Sequence, residues 1–522
     1  MGVKVLIAAS EFEPFTNIGH LGRVVANLAR ALGKRIDARA VIPLYAAIPR
    51  EYTESITMLH EFEATLGRRS YRCRIYSTVS NGVTVYLVSA GDYFEQGRVY
   101  TSVVDDVERF ACFSHAVLCM LFHIDFEPDI IQCHDWQMSY IPILIATNHH
   151  RHAYKKDYKI VSVIHSMQFQ GICSRYDMLD RLDLPGDYFS PASLEFYGQA
   201  NSLKGSLLYS DKLVTVSENY ASEIQHAYYG ENLEGIIRSR SADVAGIMCG
   251  IDTALYNPET DPALCANYTA KTRAKGKPEN KLMLQKMLGL KRGRDLPLVV
   301  VTSDNLDFDK GMDLIKHVFY DIIGLGVQLV FASKGAIADY HDFFTAKALE
   351  FPQQVAYSMY NGDVAETMFI GGADLLLRPS RIEPCGEKHL IALRYGTVPI
   401  VRETGGLKDI VSPLNDDTGE GNGFSFFNYN AHDMLYTLDR ALRVYKGDPA
   451  TWDRLIGRGM ATLLSWDDTA EKYLGVYRAL GGSGTADMDG EPGDPDGDGG
   501  SVGFGGSNGF GGRASRRGAP AR

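Results

Sequence analysis

The stretch Arg378-Pro-Ser-Arg-Ile-Glu-Pro-Cys-Gly386, followed by Glu403-Thr-Gly-Gly-Leu-Lys-Asp-Ile-Val411, decides the fold. The mostly apolar run Ala373–Leu377 ahead of it reads as a buried strand that ends in a tight polar turn. A helix then opens at Gly386 and carries Leu390, Leu393 and Arg394. The second segment repeats the design: strand Val398–Val401, Thr404 and the pair Gly405-Gly406, then a helix. Backbone N–H groups at such helix starts favour anionic ligands, and the turn places Glu383 on the rim of the same crevice. Two adjacent anion-ready loops with a carboxylate between them suit a nucleotide sugar.

Outward from this region the same alternation of strand and helix signals continues. Val3–Ala9 is followed by Leu21, Val24, Val25, Leu28 and Leu32, one face of a helix. Further strands are expected at Ala38–Leu44, Val83–Ser89, Asp129–Cys133, Lys159–Ile164 and Lys212–Val216. A second series comprises Leu296–Thr302, Val327–Ala332, Val355–Met359, Ala373–Leu377 and Val398–Val401. This is the pattern of α/β proteins with parallel sheets, which bind ligands at the carboxyl ends of their strands. The crossing between the two series is expected near Gly246–Asp252, and a final helix over Asp467–Leu480 carries Ala470, Tyr473, Leu474 and Tyr477 on one side. The expected organisation is residues 1–246, 247–464, a returning helix at 465–480, and a tail at 481–522. The tail holds Gly, Asp, Ser and Arg with almost no large apolar residues, and it is expected to be disordered. Its Asp494-Pro-Asp-Gly-Asp-Gly499 imitates a calcium loop but has Gly505 where a bidentate Glu is required, so no metal is expected.

Composition narrows the function. The 522 residues are 45% hydrophobic and 22% charged, as in a globular domain pair. A net charge of −11 argues against nucleic acid or an anionic membrane as partner. The eight cysteines show no CxxC pair, which suits a reducing, cytoplasmic setting. No run approaches the ~20 apolar residues of a membrane span, and Val3–Ala9 reads as a first strand rather than a signal peptide.

Four further stretches carry candidate chemistry. Asn17-Ile-Gly-His-Leu-Gly-Arg-Val24 joins the first strand to its helix, where phosphates could rest on Gly19, although a purely structural turn is the competing reading. His134-Asp-Trp-Gln137 and His165-Ser-Met-Gln-Phe-Gln-Gly171 follow strand ends. Asp135, Trp136 and Gln137 could hydrogen-bond and stack on sugar, against the alternative of core packing for Trp136. Asp304-Asn-Leu-Asp-Phe-Asp-Lys-Gly311 ends in a Lys-Gly pair suited to a phosphate turn, yet brings three carboxylates with it.

Together these stretches resemble the bacterial glycogen synthase and starch synthase family, from about Val3 to Leu480. The resemblance implies two Rossmann-like domains facing a cleft, the GT-B glycosyltransferase arrangement. It implies transfer of glucose from ADP-glucose to the non-reducing end of an α-1,4-glucan such as glycogen, with retention and without a metal or other cofactor. By the same resemblance His165, Glu383 and Lys310 are catalytic. Asn17, Gly19, Asn305, Lys310, Gly386, Thr404, Gly405 and Gly406 bind the donor, and Asp135, Trp136 and Gln137 face the acceptor. The chain departs from the family pattern at Asn17 for Lys, His20 for Gly, Arg23 for Asp, Gln137 for His, Ser166 for Asn, Cys249 for Asn and Asn305 for Arg. In addition, Glu387-Lys-His389 replaces Leu-Thr-Gln. These departures leave open a silent relative that binds glucan or a regulatory partner, and a transferase with a changed donor.

Overall fold

Short apolar runs bounded by polar turns become two main sheets, beside a small antiparallel one of Ile172–Cys173, Gln199–Asn201 and Glu195–Phe196, in the computed structural model, which describes residues 2–95, 97–147, 158–360 and 363–481. The first sheet contains β1 (Lys4–Ala8), β2 (Asp37–Pro43), β3 (Thr57–Leu66), β4 (Arg69–Ser80), β5 (Val83–Ala90), β6 (Ile130–His134), β7 (Lys159–Ile164), β8 (Lys212–Thr215) and β9 (Val244–Gly246). Its order is β9-β8-β7-β6-β1-β2-β5-β4-β3, parallel except for the antiparallel β3–β4 and β4–β5 pairs. The second contains β10 (Leu298–Leu306), β11 (Gln328–Ala336), β12 (Val355–Met359), β13 (Leu375–Arg378), β14 (Val398–Arg402) and β15 (Phe424–Phe426). These lie in the order β12-β11-β10-β13-β14-β15, all parallel. Both sheets belong to one compact unit.

Strand order reverses at β1, flanked by β2 and β6, and again at β10, flanked by β11 and β13. At such a switch point the connections leave to opposite faces and open a crevice beyond the strands' carboxyl ends. The loops there are Ala9–His20 and Asp135 in the first sheet, and Asp307–Gly311 and Pro379–Gly386 in the second.

Six helices matter for the site: α1 (Leu21–Gly33), α2 (Glu218–Glu223), α3 (Met312–His317), α4 (Glu387–Arg394), α5 (Gly405–Ile410) and α6 (Trp466–Ala479). Helix α1 buries Val24, Val25, Leu28 and Leu32 against the first sheet, as its 3.6-residue spacing predicts. Helix α6 starts with a Ser465–Asp468 capping box and places Trp466, Ala470, Tyr473, Leu474 and Tyr477 in the first sheet's core. The two chain crossings between the sheets run side by side: Ile251 pairs with Ser465, and Thr469 Oγ1 donates to the Met248 carbonyl at 2.9 Å. Gly250 is required there, because a Cβ would lie 2.3 Å from the Ser465 backbone.

Two expectations change. The hairpin β3–β4 is absent from the sequence reading; its outer face is charged and only alternate residues such as Ala64, Leu66, Tyr71 and Cys73 are buried. Strand β10 runs to Leu306 instead of stopping at Thr302, because Ser303, Asn305 and Leu306 pair with Ser333, Gly335 and Ala336. Asp304 and Asn305 therefore sit on the strand, not in a loop. The tail reading, with its calcium-like segment, lies outside the described residues apart from Gly481.

Candidate active site

Glu383 lies beyond β13, and four donors converge on its Oε2. They are Lys310 Nζ at 3.0 Å, Arg378 Nε at 3.1 Å, Arg378 Nη2 at 2.9 Å and Ser380 Oγ at 3.1 Å. Burial alone would push this carboxyl up, but Arg378 and Lys310 win and hold it well below the usual carboxylate range. Its Oε1 has no hydrogen-bond partner among the described residues. Arg378 is itself buried and also donates to the Thr302 carbonyl, so the cluster is rigid. His389, one turn into α4, is fully buried and neutral, its pKa lowered to about 3 by burial and by Arg378.

Backbone geometry brings the Lys310 loop against this cluster. Gly311 adopts φ +76° at the start of α3, and a Cβ there would lie 2.2 Å from the Pro379 carbonyl. The three carboxylates between Asp304 and Gly311 each have cationic or backbone partners. Asp307 accepts from the Lys310 N–H at 3.0 Å and from Asn305 Nδ2 at 3.3 Å. Asp309 accepts from Arg381 Nε at 2.8 Å and, across the cleft, from Gln168 Nε2 at 2.9 Å. Asp304 meets His20 Nε2 at 2.9 Å, Lys334 at 3.1 Å and Lys388 at 3.4 Å.

His20 is thus the centre of a charged bridge between the two sheets' loops, since its Nδ1 lies 3.1 Å from Glu387 Oε2. Although burial works against it, Asp304 and Glu387 push its pKa up to about 10, so the ring is an imidazolium. His20, Glu387 and Lys388 all stand at positions that depart from the family pattern, and the structure gathers them in one place. The other new cations are also engaged: Arg23 Nη1 donates to Tyr256 at 2.7 Å, and Lys388 Nζ to Glu366 at 2.6 Å. Because the folded pKa of His20 lies above its ordinary 6.5, the bridge stabilises fully below that value and is lost as pH climbs through about 10. Denaturant midpoints should therefore fall between pH 7.5 and 10.5 more steeply in the parent than in His20→Gln. Parallel curves would contradict a charged bridge.

Asn17 and Gly19 occupy the loop after β1. Gly19 is exposed with open space around it, and Asn17 Oδ1 is buried without a hydrogen-bond partner among the described residues. The glycine pair has a different setting from the one expected. Gly406 N–H donates to the Glu383 and Pro384 carbonyls at 3.1 and 3.0 Å, and a Cβ on Gly406 would lie 1.7 Å from the Cys385 carbonyl. Gly405 N–H and Thr404 Oγ1 donate across the cleft to Glu223 Oε2 of α2, at 3.0 and 3.3 Å. The two loops pack backbone to backbone, so the N–H groups expected to hold phosphate are engaged inside the protein. Gly386, the left-handed start of α4 at φ +83°, keeps its place beside Glu383.

On the first sheet, Asp135 is a non-glycine residue at φ +58°, and its Oδ1 accepts from the His165 N–H at 2.8 Å. The side-chain ring of His165, at the end of β7, lies 3.0 Å from His134 Nδ1. Trp136, expected to face the acceptor, is 6% exposed, edge-on to Phe110, with Gly171 close to its ring. Gln137 is likewise buried.

Two doubly wound sheets meeting at their switch points, with a lysine–glutamate–arginine cluster on one and a strand-end histidine on the other, define a GT-B-type glycosyltransferase. Residues 4–239 match the model of the starch synthase catalytic domain. The chain is 42% identical over 480 residues to the glycogen synthase of Geobacillus thermodenitrificans, covering 92% of this chain and 98% of that protein. It is 40% identical to the glycogen synthase of Desulforamulus reducens, over 92% and 99% of the two chains. Among solved structures, the catalytic domain of starch synthase IV from Arabidopsis thaliana, bound to ADP and acarbose, superposes with a TM-score of 0.83 at 31% identity, over 92% and 99% of the chains. The chain belongs to the glycogen and starch synthase family of hexosyltransferases. Among the described residues no helix is long and apolar enough to cross a membrane.

Proposed function

We propose that this chain moves glucose from ADP-glucose to the non-reducing end of an α-1,4-glucan such as glycogen. The observation that carries the reading is the convergence of Lys310 and Arg378 on Glu383 beyond the strands of the second sheet, with Gln168, three residues past His165, donating to Asp309 beside Lys310. In this reading Lys310 and Arg378 face the leaving diphosphate, at the start of α4 where backbone N–H groups add to the positive field. Glu383, anionic and with Oε1 unpartnered, orients the glucose and stabilises the positive charge that develops on its ring as the bond to phosphate breaks. His165 binds a glucose hydroxyl from the opposite side, and Asp135 sets its backbone. The division of the chain into residues 1–246 and 247–464, with 465–480 returning to the first, follows from the same reading. All eight cysteines are free, which suits the cytoplasm.

One observation favours a second reading, a weakened or silent relative that holds glucan or a partner, or a transferase for another donor. Asn17 and Asn305 stand where cations are expected around the diphosphate, while His20, Asp304, Glu387 and Lys388 neutralise one another in the same cleft. Separate calorimetric titrations with ADP-glucose, UDP-glucose and glycogen distinguish the readings. The transferase reading expects saturable binding of both ADP-glucose and glycogen. Glycogen binding without any nucleotide sugar binding would favour the silent relative, and tighter UDP-glucose would favour the changed donor.

A further inference from the structure

Behind His165 runs a buried chain of hydrogen bonds that reaches from the first sheet to the last helix. Tyr477 Oη of α6 lies 2.5 Å from Gln132 Oε1 of β6. Gln132 Nε2 lies 2.8 Å from His134 Nε2, and His134 Nδ1 lies 3.0 Å from His165 Nε2. Tyr477, Gln132 and His134 are each 0% exposed. The rings of His134 and His165 are stacked, with centroids 5.3 Å apart. None of the three buried residues lines the cleft, so their chemistry acts only through His165.

The direction of this chain follows from its buried end. Burial pushes the Tyr477 hydroxyl well above its ordinary pKa, so it keeps its proton, and Gln132 is its hydrogen-bond partner among the described residues. If Tyr477 accepted instead, its own proton would be buried without an acceptor, an arrangement that costs about 1–3 kcal/mol. Tyr477 therefore donates to the Gln132 carbonyl oxygen. The Gln132 amide must then donate to His134 Nε2. Burial lowers the His134 pKa, so this ring is neutral and carries its one proton on Nδ1. That proton points at His165 Nε2. A neutral His165 ring consequently holds its proton on Nδ1, the nitrogen with no hydrogen-bond partner among the described residues.

We infer that Tyr477 and Gln132 are positioning residues of the active site: through His134 they fix the His165 tautomer so that Nδ1–H is offered to the cleft as a donor. This rests on the reading of His165 as a sugar-binding group, yet the tautomer itself is measurable without turnover. Such a donor matches an acceptor oxygen, a glucose hydroxyl or a phosphate oxygen. It also makes α6 part of the machinery of the opposite end of the chain, because removing one hydroxyl 345 residues from Gln132 releases the whole relay.

The test is nuclear magnetic resonance of the full chain labelled with 15N-histidine at neutral pH, with His165→Asn identifying the His165 signals among the fourteen histidines. The expected parent spectrum has the His165 proton on Nδ1. Tyr477→Phe, an isosteric change, should give a mixture of tautomers. Gln132→Glu places an acceptor where the amide donates, so the proton of His134 moves to Nε2 and that of His165 with it. In the transfer assay Tyr477→Phe should lower kcat by about 10-fold with KM for the donor unchanged, because the loss is one of orientation. A parent His165 with its proton on Nε2, or a pattern unmoved by both variants, would overturn the inference. Should transfer be absent while the tautomer shifts as described, the relay stands and the transferase reading fails.

Discussion

Glu383→Gln is expected to lower transfer from ADP-glucose by about 10²–10³-fold, equivalent to ~3–4 kcal/mol of lost electrostatic stabilisation at the sugar. The change keeps the shape of the side chain and removes the charge that Arg378, Lys310 and Ser380 hold in place. Two consequences separate this from general damage. Arg378 and Lys310 lose their counterion, and breaking a buried pair of this kind destabilises the fold by about 3–5 kcal/mol. In the proposed reading the same freed cations face the diphosphate, so donor affinity should stay level or improve while kcat falls. Loss of donor affinity with kcat intact would instead make Glu383 a scaffold for the loop. Urea titration beside steady-state kinetics reads both quantities.

His20→Gly should raise affinity for ADP-glucose by about 10-fold or more, which corresponds to ~1.4 kcal/mol. The imidazolium holds Asp304 at 2.9 Å and Glu387 at 3.1 Å. In the proposed reading their carboxylates sit beside the crevice that the diphosphate enters. A ligand that binds only after such a contact opens has its apparent affinity reduced by the fraction of open molecules. Glycine removes the contact and keeps the backbone turn, since α1 takes no side-chain cap from His20. Asn305→Arg is expected to do less: Asn305 already pairs with Asp307, and an arginine there would meet that carboxylate before the ligand. Calorimetry on the two single variants and the pair checks this order. Equal affinity in parent and His20→Gly would remove the bridge as a determinant of donor binding.

The parallel sheets were legible because their central strands hold short apolar runs, Val5–Ala8 in the first and Leu375–Leu377 in the second, a signal that survives without knowledge of neighbours. Local spacing also put Glu383 and Lys310 in loops beyond strand ends, whereas the roles expected of them came from the family resemblance. The β3–β4 hairpin was not, since half of it faces solvent and its charges mask the alternation. Trp136 read as a sugar platform because sequence shows an aromatic beside a carboxylate but not the Gly171 backbone laid against the ring. The glycine pair at 405–406 shows the same limit. Glycine there permits loop-to-loop contact with Glu383 and Cys385, which local spacing does not reveal. Least legible were partnerships across long separations, His20 with Asp304 and Gln132 with Tyr477, where each residue alone is an ordinary polar side chain.

Glucose transfer by the Lys310–Glu383–Arg378 cluster is a property that can be measured. It is tested most directly by incubating parent protein with glucose-labelled ADP-glucose and glycogen and counting label in the precipitated polymer. Label is expected to grow with time in the parent, to be released by an enzyme specific for α-1,4 bonds, and to stay near background in Glu383→Gln. Polymer that stays unlabelled with ADP-glucose, or label that accumulates equally in Glu383→Gln, would contradict it.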